Sequence, residues 1–462
     1  MSKLYTVDDA LQLNRKEIHE LYKEHVNPSL AGMLSLLNFD KHFVKAKGTK
    51  VWDSEDKEYL DFLGGYGALN LGHNNDQVIE GIKKVIGLPN LLQASISTMA
   101  AVLAANLAEI TPGNLNKSFF CNSGAEAVEG ALKLARAATQ RTKFVYCQGA
   151  FHGKSFGALS VTGREKYQKP FKPLLADCIA VPYGELAPLE QELKNSDVAA
   201  FIVEPIQGEG GIIVPPHGYL KKAKELCEKY GTLMIVDEIQ TGFGRTGKMF
   251  ASEYEEIVPD ILCLAKSLGG GLMPIGAFMT NDKIWDQAYG GMDRALLHTS
   301  TFGGNALATA AGIAAVNEYI NRNIAEEAAQ KGAYLLQKLA DFKEKYPMVK
   351  EVRGRGLMIG IEFEKPTGGI LDKITGGAVT KLSTEYLGSL VAGELMNNYG
   401  IITAYTLNNP NVIRLEPPLI VSYDELDKLV EALEDIFAKR NGFMSMALAS
   451  GKTVINTLFN KR

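Results

Sequence analysis

The sequence predicts an α/β fold with a mostly parallel sheet, because short apolar runs alternate with longer helical patterns from about residue 75 onward. Six runs have the length and composition of buried strands: KSFFCN, KFVYCQGA, AAFIVEP, TLMIVDE, DILCLAK and IGAFMT. Helical patterns such as LKKAKELCEKYG lie between them. Strands that are apolar on both faces and separated by helices are typical of a sheet covered on both sides. We therefore expect a large α/β domain over residues 76–330.

The two ends of the chain have a different pattern of apolar and polar residues, which predicts a smaller α+β domain. Residues 1–30 have a helical pattern, and VKAKGTKVWDSEDKEYLDF forms two alternating segments around a turn at 53–56, which predicts a hairpin. After a helix at 305–323 the βα alternation stops. We expect an N-terminal arm and part of the small domain at 1–75, the rest of that domain at 331–440, and an extension at 441–462. Two glycine pairs in 365–383 predict a loop insertion.

Charge and cysteine content exclude several classes of function. A net charge of -4 and an isoelectric point near 6.1 leave no strongly basic surface for nucleic acid or anionic membranes. The five cysteines are scattered without CxxC spacing, so neither a disulfide framework nor a metal site is expected. The N-terminus lacks an apolar signal core, and no apolar run is long enough to span a bilayer. These features predict a cytoplasmic protein.

The stretch NSGAEAVEGALKLARAAT predicts a helix start that can bind phosphate. Ser123 and Glu126 have the spacing of a capping box, and a well-capped helix without a ligand is the plain alternative. Ser123, Gly124 and Ala125 are small and would expose backbone N–H groups at the positive end of the helix dipole. The Walker and GxGxxG patterns are absent here, so a phosphate bound at this place need not belong to a nucleotide.

Aromatic and acidic residues follow other strands. Phe151 and His152 lie between glycines at a strand end, where α/β sheets bind ligands. The ring of Phe151 either stacks on a planar group or packs in the core. Asp237 ends the run LMIVD, with Gln240 just beyond it. Asp237 either caps a helix, pairs with Arg245, or holds a proton on a ring nitrogen of a ligand.

One lysine, Lys266 in PDILCLAKSLGGG, ends an apolar run just before three glycines. A buried ammonium is costly unless it is paired, so Lys266 either reaches solvent, pairs with an acid, or takes part in chemistry. Together with the preceding features, Lys266 matches what pyridoxal phosphate requires. In this interpretation the phosphate binds at Ser123, Gly124 and Ala125, the ring lies on Phe151, Asp237 pairs with the ring nitrogen, Gln240 reaches the ring oxygen, and Lys266 forms the covalent link.

Seven stretches resemble a known family: NSGAEAVEGALKLAR, GAFHGKSFGALS, EPIQGEGG, VDEIQTGFGRTG, LAKSLGGG, STFGGN and RLEPPL. Their order and approximate spacing over residues 40–440 resemble those of the class III (ω-amino) aminotransferases. The resemblance implies the pyridoxal-phosphate-dependent transferase fold type I, like aspartate aminotransferase, with a seven-stranded sheet in the large domain. It also implies a ping-pong transamination between an amine donor and a 2-oxo acid acceptor.

The same resemblance assigns roles to cofactor residues. It implies that Lys266 carries the cofactor and moves the reacting proton, and that Asp237 is catalytic because it keeps the ring nitrogen protonated. His152 and Glu204 are placed beside the cofactor. Thr301 is expected to contact the phosphate in the partner subunit's site, which implies a homodimer and leaves a tetramer open.

Substrate residues follow from the resemblance as well. Arg414 matches the arginine that binds the α-carboxylate of glutamate or 2-oxoglutarate, and Glu209 matches the glutamate that pairs with it when the donor end has no carboxylate. A fixed ion pair between domains is the alternative for Arg414. Tyr66 matches a position in the donor pocket or packs nearby. Where ornithine and acetylornithine aminotransferases usually have an arginine, this chain has Lys154, a poorer carboxylate clamp.

The chain most resembles the putrescine aminotransferases, so we expect a diamine donor, putrescine or cadaverine, with 2-oxoglutarate as acceptor. A transaminase of ω-amino acids (ornithine, acetylornithine, 4-aminobutyrate or lysine), using 2-oxoglutarate or pyruvate, is the second hypothesis. Racemase or acyl-transfer chemistry and a non-catalytic role are further alternatives. The Arg414–Glu209 pair argues against the former, and the intact set of Lys266, Asp237 and Gln240 argues against the latter. The segments 365–383 and 443–462 depart from the nearest relatives and would affect which amine the protein accepts as donor.

Overall fold

The computed structural model describes residues 4–92, 94–364, 378–440 and 446, with the backbone alone for 378–384. Three helices come first: Val7–Leu11, Arg15–His25 and Pro28–Leu36. The strands β1 (Phe43–Lys47), β2 (Lys50–Asp53) and β3 (Glu58–Asp61) follow and pair antiparallel in this order. The turn between β2 and β3 confirms the predicted hairpin. A tight turn at Gly48, where φ is +62°, separates β1 from β2, so three strands stand where the sequence analysis expected two.

A seven-stranded sheet forms the centre of the large α/β region. Its strands are β4 (Lys117–Cys121), β5 (Lys143–Cys147), β6 (Cys178–Val181), β7 (Val198–Val203), β8 (Leu233–Asp237), β9 (Ile261–Leu264) and β10 (Gly276–Thr280). The spatial order is β4-β10-β9-β8-β7-β5-β6, and β10 alone runs in the direction opposite to the other six strands. The mostly parallel α/β sheet is therefore confirmed. The residue pattern missed β6, which is a short edge strand with only one buried residue.

Side chains of the central strands pack on both faces of this sheet. In β8, Ile235 belongs to the core cluster that includes the helix Gly124–Thr139, whereas Met234 and Val236 belong to the cluster on the other face. All six residues of β7 are buried. Two-sided burial is what makes these strands continuously apolar in the sequence.

Helices cover the sheet and connect its strands. Their bounds are Asp76–Lys83, Thr98–Ile110, Gly124–Thr139, Phe156–Ser160, Glu165–Gln168, Leu186–Leu193, Tyr219–Tyr230, Asp282–Tyr289, Ala306–Asn321 and Ile324–Lys338. Short 3-10 helices occupy Lys169–Phe171, Ala251–Glu255 and Lys266–Gly269. The segment Gly64–Gly67 is a turn of four successive left-handed residues, with φ of +56°, +59°, +58° and +81°.

The last part of the chain builds a second small sheet and joins the first. The strands are β11 (Val349–Arg355), β12 (Met358–Phe363), β13 (Ile401–Ile402), β14 (Ala404–Tyr405) and β15 (Val412–Leu415), with helices Phe342–Lys345, Ala378–Tyr399 and Tyr423–Lys439. One sheet has the order β11-β12-β15-β14, and β13 extends the sheet of β1–β3 by pairing parallel to β3. The domain boundaries at 75, 330 and 440 stay a prediction.

Two segments of interest lie mostly outside the described residues. The predicted loop insertion at 365–383 falls outside them up to residue 377, and from Ala378 the backbone is helical. Of the extension at 441–462 only Met446 is described, and it is buried.

Candidate active site

The residues that follow β5, β7, β8 and β9 border one pocket of about 500 Å³. Parallel α/β sheets bind ligands at this edge because loops from neighbouring strands meet there. Nine residues proposed for the cofactor line it: Ser123, Gly124, Ala125, Phe151, His152, Glu204, Asp237, Gln240 and Lys266. The tenth, Thr301, is exposed and is not among the described residues that line this pocket. Its expected place is the partner subunit's site, so the single chain leaves that role a prediction.

One side of the pocket is the start of the helix Gly124–Thr139. The Oγ of Ser123 accepts a hydrogen bond from the N–H of Glu126 at 3.2 Å, as a helix cap does. The carboxylate of Glu126 accepts from the N–H of Asn122 instead of Ser123, so the predicted capping box is only half formed. A Cβ on Gly124 would lie 2.9 Å from the side chain of Ile239. The first turn thus packs closely at the pocket wall and presents helix N–H groups suited to an anion.

Asp237, at the end of β8, is buried and held in one orientation by two hydrogen bonds. Its Oδ2 lies 2.7 Å from Nδ1 of His152, and its Oδ1 accepts from the N–H of Ile239 at 3.1 Å. Nε2 of His152 is buried and has no hydrogen-bond partner among the described residues. A fixed, buried carboxylate of this kind can keep a ring nitrogen protonated.

Glu204 comes directly after β7 and holds the loop that carries Phe151. One carboxylate oxygen accepts from the N–H of Phe151 at 2.9 Å, and the other accepts from the N–H of Gly208 at 3.1 Å. Burial raises the pKa of Glu204 to about 7, opposed by nearby His152 and reinforced by Asp237. The carboxyl group therefore titrates near neutral pH.

Lys266 begins the 3-10 helix Lys266–Gly269 two residues after β9, with a left-handed φ of +47°. Its neighbour Ser267 donates to the carbonyl of Gly67 at 2.8 Å, which fixes this turn against the segment Gly64–Gly67. Burial lowers the pKa of Lys266, and the negative charges of Glu416 and Glu209 oppose that change. A lowered pKa favours the free amine needed to bond a carbonyl carbon.

Arg414 lies at the other side of the site, on β15, and is fully buried between two carboxylates. Its Nη2 lies 2.5 Å from Oε2 of Glu209, and its Nη1 donates to Oε2 of Glu416 at 3.0 Å. The guanidinium carbon lies 5.1 Å from the ring centre of Tyr66. Burial opposes the charge, but Glu209 and Glu416 raise the pKa of Arg414. The structure therefore brings the three predicted substrate residues together.

Glu416 was missed by the sequence reasoning, and it changes the interpretation of Gln240. The amide Nε2 of Gln240 donates to both carboxylate oxygens of Glu416 at 3.0 Å and to the carbonyl of Tyr66 at 3.2 Å. Gln240 therefore connects the cofactor pocket to Arg414, in addition to lining that pocket. The available signal was the i+2 spacing of Arg414 and Glu416 in RLEPPL, because alternate residues of a strand share a face.

The structure also decides between alternatives for the nearby charges. Glu238 accepts from the N–H groups of Ala251 and Ser252, so this acid, and not Asp237, caps a short helix. Arg245 donates to the carbonyls of Leu357 and Pro417 and to the side chain of Asn70. The alternative in which a strand-end acid pairs with Arg245 is therefore wrong, because the guanidinium bonds to distant loops instead.

Lys154 places its ammonium 4.6 Å from the ring centre of Tyr167 and 5.9 Å from that of Phe151. This is a cation–π arrangement at an exposed position. Across residues 4–92, 94–364 and 378–440 there is no cluster of potential metal ligands. No helix in the same part of the chain is long and apolar enough to cross a membrane.

Comparison with known proteins gives consistent matches over most of the chain. The family model "Aminotransferase class-III" matches residues 37–437. The putrescine aminotransferase of Pectobacterium atrosepticum is 41% identical over 95% of this chain and 92% of its own length. Aminotransferase PigE of Serratia sp. is 39% identical over 93% of this chain, which spans only 54% of that relative.

Solved structures agree with the sequence matches. The ornithine aminotransferase of Toxoplasma gondii superimposes with a TM-score of 0.82 at 31% identity, covering 94% of this chain and 99% of that one. A second structure of that enzyme, with a TM-score of 0.81, 31% identity and coverage of 94% and 98%, has pyridoxal phosphate at partial occupancy in its active site.

Proposed function

Because the chain belongs to the class III aminotransferases, we propose that it transfers the terminal amino group of a diamine, putrescine or cadaverine, to 2-oxoglutarate. The family and its members are pyridoxal-phosphate-dependent transaminases of fold type I, and this chain is one of them. With putrescine the products would be 4-aminobutanal, which cyclises to 1-pyrroline, and glutamate. The two substrates would use one pocket in turn.

The residues that line the pocket fit the cofactor. The N–H groups at the start of the helix Gly124–Thr139 would bind its phosphate, and Phe151 would contact its ring. When bound, pyridoxal phosphate supplies an electron sink for the carbanion that forms at the donor carbon. Asp237, oriented by His152, would hold the proton on the ring nitrogen. The amine of Lys266 would take the proton from the donor carbon, a role that the lowering of its pKa by burial favours.

The observation that carries the diamine proposal is the buried ion pair of Arg414 and Glu209. With a second carboxylate, Glu416, also on the guanidinium, the charge of Arg414 is already neutralised. The donor side of the site therefore suits an ammonium better than a carboxylate. Lys154 supports the same donor, because its ammonium lies over aromatic rings and lacks the forked geometry of an arginine clamp. The similarity to a putrescine aminotransferase points the same way.

An ω-amino-acid donor is the second candidate, and the similarity to ornithine aminotransferase structures favours it. The test is a single half-reaction. The cofactor-loaded protein is mixed separately with putrescine, cadaverine, ornithine and 4-aminobutyrate, and the absorbance change from the pyridoxal to the pyridoxamine form is followed. Fast conversion by a diamine and slow conversion by the amino acids is expected. Faster conversion by an amino acid would move the assignment to the second candidate.

Arg414→Lys tests the acceptor role of Arg414 without removing its charge. A lysine loses the two-pronged geometry, so kcat/KM for 2-oxoglutarate should fall about 10- to 100-fold. The diamine half-reaction should change by less than about threefold, because the donor does not need the clamp. Equal losses in both half-reactions would instead make Arg414 a purely structural ion-pair residue.

We further propose that the chain forms a homodimer with shared active sites. Large apolar side chains are exposed in two neighbouring stretches: Ile86, Leu88, Leu91, Leu92, Ile96, Met292, Leu296, Leu297 and Phe302. The stretches meet where Asn90 accepts a hydrogen bond from the N–H of Ala306. Exposed apolar surface of this kind is typical of an interface. A partner packed there would receive Thr301 near its own site. The cytoplasmic location stays a prediction.

A further inference from the structure

We propose that Glu416 sets the net charge of the substrate pocket and thereby selects a cationic donor over a carboxylate-bearing one. The inference rests on the proposed diamine function and adds a specificity residue to it. Glu416 is a positioning residue in this proposal, since it acts through Arg414 and through its field.

Glu416 is a fixed anion. It is fully buried, and both carboxylate oxygens accept from Nε2 of Gln240 at 3.0 Å, while one of them also accepts from Nη1 of Arg414. Its backbone N–H donates to the carbonyl of Phe62 at 2.8 Å. A Cβ on Gly64 would overlap the Glu416 carbonyl, so the backbone also packs closely here. Gln240 and Arg414 thus hold the carboxylate, and the segment with Phe62 and Gly64 holds the backbone of Glu416.

Glu209 is the second anion, and its surroundings differ. Its Oε2 contacts Nη2 of Arg414 and accepts from the N–H of Leu407 at 2.7 Å. Because Glu416 already neutralises the guanidinium, the negative charge of Glu209 has no positive charge left to balance it within the cluster. One positive group and two negative groups leave this buried cluster with one net negative charge.

That excess charge distinguishes substrates. The distal ammonium of a diamine elsewhere in the same pocket would offset this charge, which is favourable in a poorly solvated site. A distal donor carboxylate would instead be repelled by it. The same field reaches the reacting amine of Lys266. Burial has the largest effect on the pKa of this amine and lowers it, and among the charged neighbours Glu416 raises it most.

Glu416 also determines which edge of Arg414 a carboxylate can use. Nη1 is bound to Glu416 and Nη2 lies 2.5 Å from Oε2 of Glu209, whereas Nε has no hydrogen-bond partner among the described residues. Tyr66 covers a face of the guanidinium. An acceptor carboxylate would therefore bind the Nε–Nη2 edge after Glu209 has moved.

The test is Glu416→Gln, which removes the charge but keeps an oxygen for Arg414; the amide of Gln240 can turn over to accept from the new amide. Putrescine is compared with butylamine, which has the same chain length and one amine. The putrescine-to-butylamine ratio of kcat/KM in the donor half-reaction should fall about tenfold. Glutarate, an unreactive dicarboxylate, should bind about tenfold more tightly by calorimetry, since less repulsion remains.

Two matched variants complete the design. Glu416→Asp retains the charge and should keep the ratio within about threefold of the unmodified protein. Glu362→Gln removes another buried, arginine-paired carboxylate, on β12, where its partners are Arg353 and Lys350. It should change neither the ratio nor glutarate affinity.

An unchanged ratio with unchanged glutarate binding, or equal losses for putrescine and butylamine, would overturn the role of Glu416. Failure of the proposed function is distinguishable. If the unmodified protein converts neither putrescine nor cadaverine, the diamine assignment fails, while tighter glutarate binding by Glu416→Gln would still support the charge effect.

Discussion

The amine of Lys266 lies under opposing influences. Burial favours the neutral form, and the carboxylates of Glu416 and Glu209 favour the charged form. Its left-handed φ of +47° is a conformation that costs a non-glycine residue about 1 kcal/mol. Such strain persists where the surroundings hold it, here through the hydrogen bond from Ser267 to Gly67. The position of Lys266 is therefore imposed by tertiary contacts.

Lys266→Ala should abolish transamination, by more than about 1000-fold in kcat, because the proton-carrying amine is lost. Circular dichroism and the thermal midpoint should show a folded protein. Lys224→Ala is the control, since Lys224 is a half-buried lysine of the same region, paired with Asp260 at 2.7 Å. Its activity should stay within about threefold. Full activity in Lys266→Ala would refute the central assignment.

The raised pKa of Glu204 predicts that the stability of the protein depends on pH. Its pKa is raised from 4.5 to about 7 in the folded protein, so the folded state holds the proton more tightly than the unfolded chain. The contribution of this group to the free energy of unfolding should therefore be greatest below about pH 4.5. It should fall by about 3 kcal/mol as the pH rises to about 7 and change no further above that pH.

Glu204→Gln removes that titration. The thermal midpoint of the cofactor-free variant, relative to the unmodified protein, should rise between pH 5 and 8. Glu109→Gln, an exposed glutamate in the helix Thr98–Ile110, should follow the unmodified protein throughout. If the thermal midpoints of all three proteins changed with pH in parallel, Glu204 would not titrate in this range.

At the scale of elements, the left-handed turn Gly64–Gly67 organises the substrate side. The carboxylate of Asp61 accepts from the N–H groups of Leu63 and Gly64 at 2.9 Å each and fixes the start of the turn. Backbone carbonyls of the turn accept from Ser267 and Gln240. One turn therefore positions the ring of Tyr66 and supports two segments that line the cofactor pocket.

Two helical glycines give a matched test of packing. Gly332, in the helix Ile324–Lys338, faces the backbone of Gly356 so closely that a Cβ would overlap it. Gly32, in the helix Pro28–Leu36, has nothing within 4 Å of a Cβ position. Gly332→Ala should destabilise by about 2 kcal/mol or more, and Gly32→Ala should stabilise by about 0.5–1 kcal/mol. Chemical denaturation measures both; shifts of the same sign would contradict the packing of the first helix.

At the scale of the whole molecule, the site lies between two regions of the chain. Asp237 ends one strand of the seven-stranded sheet and Lys266 follows another, whereas Arg414 lies in β15 and Glu416 follows it. Gln240 bridges them through Glu416. The cofactor side and the substrate side are thus built by different sheets, and the hydrogen bonds between them set their separation.

The dimer proposal is tested on the exposed apolar stretch. Met292 and Leu296 are 97% and 81% exposed, and two charges there should separate subunits. Light scattering should give a dimer for the unmodified protein and a monomer for Met292→Asp/Leu296→Asp. The monomer should bind the cofactor more weakly, because each site would no longer receive Thr301 from the other subunit. Ile320→Asp, an exposed apolar position outside both stretches, should stay dimeric. A monomeric unmodified protein would refute the proposal.

Much of the fold and most cofactor-pocket residues followed from local patterns. Buried strands leave apolar runs, and the residues at or just after their ends, such as Asp237 and Lys266, are recognisable because polar groups there follow an apolar run. The edge strand β6 was missed because one buried residue leaves no such run. The partner of Gln240 was missed because it lies 176 residues away in the chain.

The sequence by itself determined the α/β class and the family, since these depend on periodicity and on short motifs in a given order, and the roles of Lys266 and Asp237 stay predictions. Only the tertiary structure decided that Arg414 is held between two carboxylates, that Glu238 and not Asp237 caps a helix, and that Glu126 leaves its capping box incomplete. Charge balance and hydrogen bonding depend on distances between groups far apart along the chain, and those distances exist only once the chain has folded.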